Sequence, residues 1–351
     1  MNAATSDTPI NPQRRSLLGR AALAFAAGQL GAIGTAFAAA APAASSTAPL
    51  GNAAWGPLKQ INAGVLRVSY AEIGPAHGRP VLLLHGWPYD IHTYAEVAPW
   101  LAAAGYRVIV PSLRGYGATR FLAKDTPRNG QQSVLAVDVI ALLNALKIDQ
   151  ATLGGCDWGA RTACIVAALW PDRVKALVSV SGYLIGSQEA GRKPLSPAAE
   201  LQWWYQFYFA TDRGRLGYEQ NRQAFAKLIW QLASPRWTFT EALFERSAAA
   251  LDNPDHVAVV IHNYRWRLGL VSGEAMYRNL ESRLAEQPVI GVPTITLEGD
   301  ANGAPHPEAS TYAKKFSGPH EHRVVTGGIG HNLPQEAPEA FCAAIANVMG
   351  A

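Results

Sequence analysis

The chain has 351 residues, 49% of them hydrophobic and 16% charged, with 32 glycines, 23 prolines and 3 cysteines. That apolar share is enough for one large buried core or two smaller ones, and it excludes a disordered chain, a collagen-like fibre and a cysteine-stapled mini-fold. Thirty Lys+Arg against 26 Asp+Glu leave a formal charge of +4, which falls to +2 without residues 1–38, and no block of like charge remains to track a phosphate backbone or an anionic lipid surface, so nucleic acid and membrane are not expected partners.

At the start of the chain, Gln13-Arg14-Arg15-Ser16-Leu17-Leu18 leads into a mildly hydrophobic Ala/Gly run from Ala21 to Ala40 that contains Ala36-Phe37-Ala38. A paired arginine, a weakly apolar stretch and a small-residue triplet resemble a twin-arginine export signal, which predicts a signal over residues 1–38 and a periplasmic or secreted protein. A membrane-anchoring helix is the alternative, disfavoured because the run is poor in Leu and Ile. Residues 39–57, rich in Ala, Ser and Pro, read as a linker.

Beyond the linker, short β-rich runs alternate with helical spacing. Strands are expected at Val65–Ile73, Val81–Leu84, Tyr106–Pro111, Ala151–Leu153, Val174–Val180, Thr294–Leu297 and Arg323–Val325. Helices are expected at Tyr94–Ala104, Ser133–Leu146, Ala160–Leu169 and Ala337–Val348. Such alternation predicts an α/β fold with a mostly parallel sheet covered on both faces. Between Tyr183 and Glu286 no strand-like run occurs, and Trp203, Trp204, Trp230, Trp237 and Trp266 gather there, so a helical insertion is expected. Cys156, Cys164 and Cys342 are odd in number and are expected as free buried thiols.

Gly154-Gly155-Cys156-Asp157-Trp158-Gly159-Ala160 carries a buried strand into a helix through a bend. Glycines two places either side of Asp157 let the chain cross itself there and throw the central side chain outward. Where hydrolases use serine at such a bend, this chain has a carboxylate. Its attack on carbon forms an alkyl ester, suited to opening a strained ring or displacing halide. The plainer possibility is an aspartate that only caps the following helix.

Two further motifs favour chemistry. His85-Gly86-Trp87-Pro88 follows the strand Val81–Leu84, so the Trp87 amide can join that of Trp158 in a two-donor hole for an oxyanion. Gly327-Gly328-Ile329-Gly330-His331 places an imidazole in a glycine-rich loop after the last strand, able to take a proton from water near neutrality.

With Arg114-Gly115-Tyr116-Gly117 added, these residues resemble the α/β-hydrolase fold and, within it, the epoxide hydrolases, over about Trp55–Ala351. The resemblance implies an eight-stranded, mostly parallel sheet, a core of residues 58–183 and 287–351, and a helical lid of residues 184–286. It implies that an epoxide and water are the reactants, with no cofactor or metal. Two lid phenols would protonate the departing oxygen: Tyr205 in Trp204-Tyr205-Gln206 and Tyr264 in Asn263-Tyr264-Arg265. His85, Trp204 and Arg161 are expected to contact substrate. The acid that orients His331 is expected three places after Gly299, where Asn302 stands, so Asp300 is the nearest candidate and Glu189 the alternative. Haloalkane dehalogenases share the Asp-Trp bend, and fluoroacetate dehalogenases carry an arginine at the position of Arg161, so dehalogenation is the rival reaction. A non-catalytic ligand receptor of the same fold is a more distant one. His320 and His322 are expected to be exposed and not metal-binding.

Overall fold

The computed structural model describes residues 55–350, so the expected export signal and nearly all of the expected linker lie outside the described residues. Trp55, at the linker's end, is buried and packs edge-on to His92, with ring centroids 6.0 Å apart. The three cysteines are buried and free.

Nine strands form one sheet: β1 (Lys59–Ala63), β2 (Leu66–Ile73), β3 (Arg79–Leu84), β4 (Tyr106–Pro111), β5 (Arg120–Phe121), β6 (Ala151–Gly155), β7 (Val174–Val180), β8 (Thr294–Gly299) and β9 (His320–Val325). Eight of them run in the order β1-β2-β4-β3-β6-β7-β8-β9, the row the resemblance implied, and the two-residue β5 adds to β2. Pairing is parallel from β4 to β9, while β2 runs antiparallel to β1, β4 and β5.

The period-two alternation of strand side chains divides the core. On one face of β3, Leu82 and Leu84 pack with Ile109, Leu153 and Leu177 beneath helices Gln132–Ala145 and Trp158–Leu169. On the other, Val81 and Leu83 pack with Val108, Val110 and Val178 against helices Val97–Ala103 and Pro338–Gly350. Because β3 has polar water on neither face, Val81-Leu82-Leu83-Leu84 reads as an unbroken apolar run.

Between β7 and β8 the described elements are all helical, from Gln188 to Ala285. Ser196, Thr211 and Thr240 each accept a backbone N–H at a helix start, which is why these helices begin where they do. No helix among the described residues is long and apolar enough to cross a membrane.

Candidate active site

Asp157 sits between β6 and helix Trp158–Leu169 at φ 54° and ψ −120°, a left-handed backbone that a side-chain-bearing residue rarely adopts. The bend is possible because Gly159 lies against β3, where a Cβ would meet Leu84 O at 1.8 Å, and because Gly86 leaves room for the carboxylate, which a Cβ there would approach to 2.5 Å or less. Although Asp157 stands at the N-cap position, its side chain makes no capping hydrogen bond. Instead Oδ1 accepts the Trp87 N–H at 2.8 Å, and Oδ2 lies 3.6 Å from His331 Nε2. Burial opposes its ionisation most strongly, but His331, Arg161 and the Trp87 amide outweigh it and hold the carboxyl below its ordinary range. The carboxylate is therefore charged at neutral pH. Trp158 is the first helical residue, where a backbone N–H has no intrahelical acceptor and is free for a developing oxyanion.

A cavity of about 50 Å³ over Asp157 is lined by Trp87, Trp203, Trp204, Tyr205 and His331, among others. Tyr205 and Tyr264 meet edge-on at 5.4 Å between centroids, each with its ring 5.2 Å from that of Trp87. Tyr264 also lies 5.9 Å from Trp158. Burial raises both phenols well above their ordinary pKa. They stay protonated and can serve as donors throughout the neutral range.

Three expectations fail. Asp300 does not orient His331: it is exposed, and its carboxylate accepts the N–H groups of Gly327, Gly328 and Ile329 at 3.1, 2.8 and 2.9 Å, so its oxygens are committed to shaping the glycine loop. Glu189 is exposed too, paired with Lys193 in the helical insertion. His331 Nδ1 is buried with no hydrogen-bond partner, and Asn302 spends its amide on Glu298, Ser181 and the Ala304 N–H. Secondly, His85 does not reach the cavity. Its ring is fully buried and bridges backbone, with Nδ1 on Gly86 O at 3.0 Å and Nε2 accepting the Leu113 N–H at 3.2 Å, which places it as a brace for the Gly86-Trp87 turn. Thirdly, His320 and His322 are half-buried, both sharing the Thr296 hydroxyl at 3.1 Å. Trp204 does line the cavity, whereas Arg161 faces a different one.

Other residues that build the site had no motif to mark them. The Trp87 indole donates to Tyr218 Oη at 2.9 Å, that hydroxyl to His256 Nε2 at 2.8 Å, and His256 Nδ1–H to Gly115 O at 2.9 Å. This order requires neutral His256, whose pKa burial pushes down to about 3, with Arg222 and His85 adding to the effect against the bond to Gly115. The loop carrying His331 is held likewise. Its backbone N–H goes to Ser234 Oγ and Ala233 O, and Glu336 accepts Ser234 Oγ, Gly330 N and Asn332 N.

A stability prediction follows from His256. Unfolded, it gains a proton near its ordinary 6.5, but folded it does not until about pH 3, so its stabilisation is complete above 6.5 and is lost as pH falls through that window. Unfolding free energy should decline below pH 6.5 by roughly 1.4 kcal/mol per proton per pH unit. Denaturant titrations between pH 5 and 6.5 should show the slope of His256→Asn shallower by one proton than that of the parent. An unchanged slope would place the titration elsewhere.

A family model described as alpha/beta hydrolase fold matches residues 79–226. The chain is 62% identical to a "putative epoxide hydrolase" from Klebsiella pneumoniae subsp. pneumoniae, whose crystal structure superposes with a TM-score of 0.85 over 85% of this chain and 99% of that one. It is 38% identical over 125 residues to epoxide hydrolase 2 of Siraitia grosvenorii, covering 36% of this chain and 38% of that protein. Over 130 residues it is 37% identical to a haloalkane dehalogenase of Mycobacterium marinum, covering 37% of this chain and 42% of the other. The chain thus matches less than half the length of these two curated relatives.

Proposed function

Because the chain belongs to the α/β-hydrolase fold family, we propose that it is an epoxide hydrolase, exported by the twin-arginine signal of residues 1–38 and working in the periplasm or outside the cell. The observation that carries this reading is the Asp157 carboxylate 3.6 Å from His331 Nε2, in a cavity that Tyr205 also lines with Tyr264 packed edge-on to it.

In this mechanism Asp157 attacks a ring carbon, the C–O bond breaks, and Tyr205 and Tyr264 donate to the leaving oxygen. The product of this step is a hydroxyalkyl ester of Asp157. His331 Nε2 then takes a proton from water, which adds to the ester carbonyl while the amides of Trp87 and Trp158 hold the oxyanion. Collapse frees Asp157 and a vicinal diol, and the proton taken up by His331 returns to the phenolate left by ring opening, which resets both groups. Residues 184–286 act as the lid, bringing the phenols down on the site and excluding water.

A single turnover in heavy-oxygen water tests the route. The first diol should carry an unlabelled new oxygen, taken from Asp157, with the label in the Asp157 carboxylate. Label appearing directly in that first diol would mean direct water attack and end the covalent scheme.

One observation favours dehalogenation as a second reading: the Trp158 indole N–H is buried without a hydrogen-bond partner and could hold a departing halide. The resemblance to a mycobacterial haloalkane dehalogenase points the same way. Chloride or bromide release from haloalkanes, with no diol from any epoxide, would select it.

A further inference from the structure

The carboxylate that faces His331 at rest loses its charge partway through the reaction. Asp157 Oδ2 lies 3.6 Å from His331 Nε2, but an Asp157 ester is neutral. Water then gives a proton to Nε2 as its oxygen adds to the ester carbonyl, so an imidazolium forms in a buried loop. His331 Nδ1 has no hydrogen-bond partner among the described residues, and Asp300 and Glu189 are committed elsewhere. A buried cation is costly unless a negative charge stands near it.

Glu336 ends the short helix Leu333–Glu336 that follows the histidine. Its Oε2 accepts the Gly330 N–H at 2.7 Å and its Oε1 the Asn332 N–H at 3.0 Å, so one carboxylate grips the residues on either side of His331. Oε1 also accepts the Ser234 hydroxyl at 2.6 Å, and that oxygen in turn accepts the His331 N–H at 3.0 Å. Three donors on two oxygens suit an ionised carboxylate. Burial pushes the Glu336 pKa up, while these bonds and the charge of His331 pull it down.

The other titratable groups around the loop leave this role to Glu336. Cys156 donates to His331 O at 3.3 Å, Tyr89 lies 6.2 Å away between ring centres, and Tyr205 faces the histidine across the cavity, but burial keeps all three protonated. Glu298 spends Oε1 on Asn302 and the Gly299 N–H. Asp300 and Arg236, at the glycine end of the loop, are exposed and screened by solvent. We infer that Glu336 is the positioning residue of the water step: it fixes the His331 loop and balances the charge that His331 acquires once Asp157 is esterified. The inference rests on the proposed ester mechanism for its step, whereas the effect of Glu336 on His331 is readable without substrate.

Single turnovers across pH, with ester hydrolysis measured apart from ester formation, test the role. His331 must be uncharged to take the proton, so hydrolysis speeds up with pH to a plateau. Removing a nearby negative charge disfavours the imidazolium, so Glu336→Gln should move the midpoint of that rise down by about half a pH unit or more and lower the plateau about tenfold. Ester formation should keep its rate. Ser234→Ala loosens the same loop with the charge in place, so it should slow hydrolysis and leave the midpoint where it was. Thermal melts check folding, and Glu336→Ala decides if the glutamine variant does not fold. A midpoint that stays put in the folded Glu336 variants would overturn the inference, whatever happens to the rate. NMR without substrate keeps the answer apart from the reaction. In Asp157→Asn, neutral at that position like the ester, the His331 ring signal is identified by its loss in His331→Gln. It should titrate at lower pH once Glu336→Gln is added, and an unmoved titration would overturn the charge balance. A shift there, in a protein that opens no epoxide, would uphold the effect of Glu336 on His331 and reject the epoxide reaction.

Discussion

Asp157→Asn is expected to lower steady-state epoxide turnover by at least about 10⁴-fold while the fold survives, because a neutral amide does not attack the ring carbon. Asparagine is the right probe. It tolerates the positive φ of this bend better than alanine does, and its oxygen can still accept the Trp87 N–H, so the backbone has little reason to rearrange. The parent should also yield a covalent adduct one substrate mass heavier when quenched during turnover, located by peptide mass spectrometry on the segment holding Asp157. Asp157→Asn should yield none. Substantial residual turnover in a variant shown by mass to be fully amidated would remove Asp157 from the role of nucleophile.

That Asp157 could be found in the sequence has a local cause. A carboxylate at a strand-to-helix bend needs glycines at Gly155 and Gly159 whatever the rest of the chain does, and a residue pattern set by contacts within a few positions survives in the linear text. The buried strand β3 and the helices beside it were legible on similar grounds, since burial on both faces leaves no polar alternation. β1 and β5 were not. β1 is half-exposed at the edge of the sheet and β5 has only two residues, so neither needs an apolar run. The error over Asp300 is of another kind: proximity to β8 along the chain said nothing about which backbone N–H groups its oxygens would meet, and they meet the glycine loop that positions His331. Tyr218 and His256 were hidden by distance, His256 reaching Gly115 across 141 residues. Only the folded chain shows that the Trp87 turn is held from above by the helical insertion.

The largest effect after loss of the nucleophile should come from the two phenols together. Tyr205→Phe or Tyr264→Phe alone should lower the rate of ester formation from an epoxide by about 10- to 100-fold, and the double variant by at least about 10³-fold, in line with the usual contribution of a positioned acid. Redundancy sets that ratio: with the rings 5.4 Å apart beside one carboxylate, one remaining hydroxyl can still protonate the alkoxide, and only removal of both leaves it bare. Loss of the hydroxyls leaves the aromatic contacts of both rings with Trp87, so thermal stability should change little. Rapid-quench measurement of ester formation, separate from its hydrolysis, is the informative readout, because the water step depends on His331 and should keep its rate. Halide displacement supplies the contrast. A bromide ion leaves without a proton, so any haloalkane turnover at Asp157 should be almost untouched in the double variant. Equal losses with epoxide and haloalkane would mean that the tyrosines shape the cavity and do not donate, and the proposed ring opening would lose its acid.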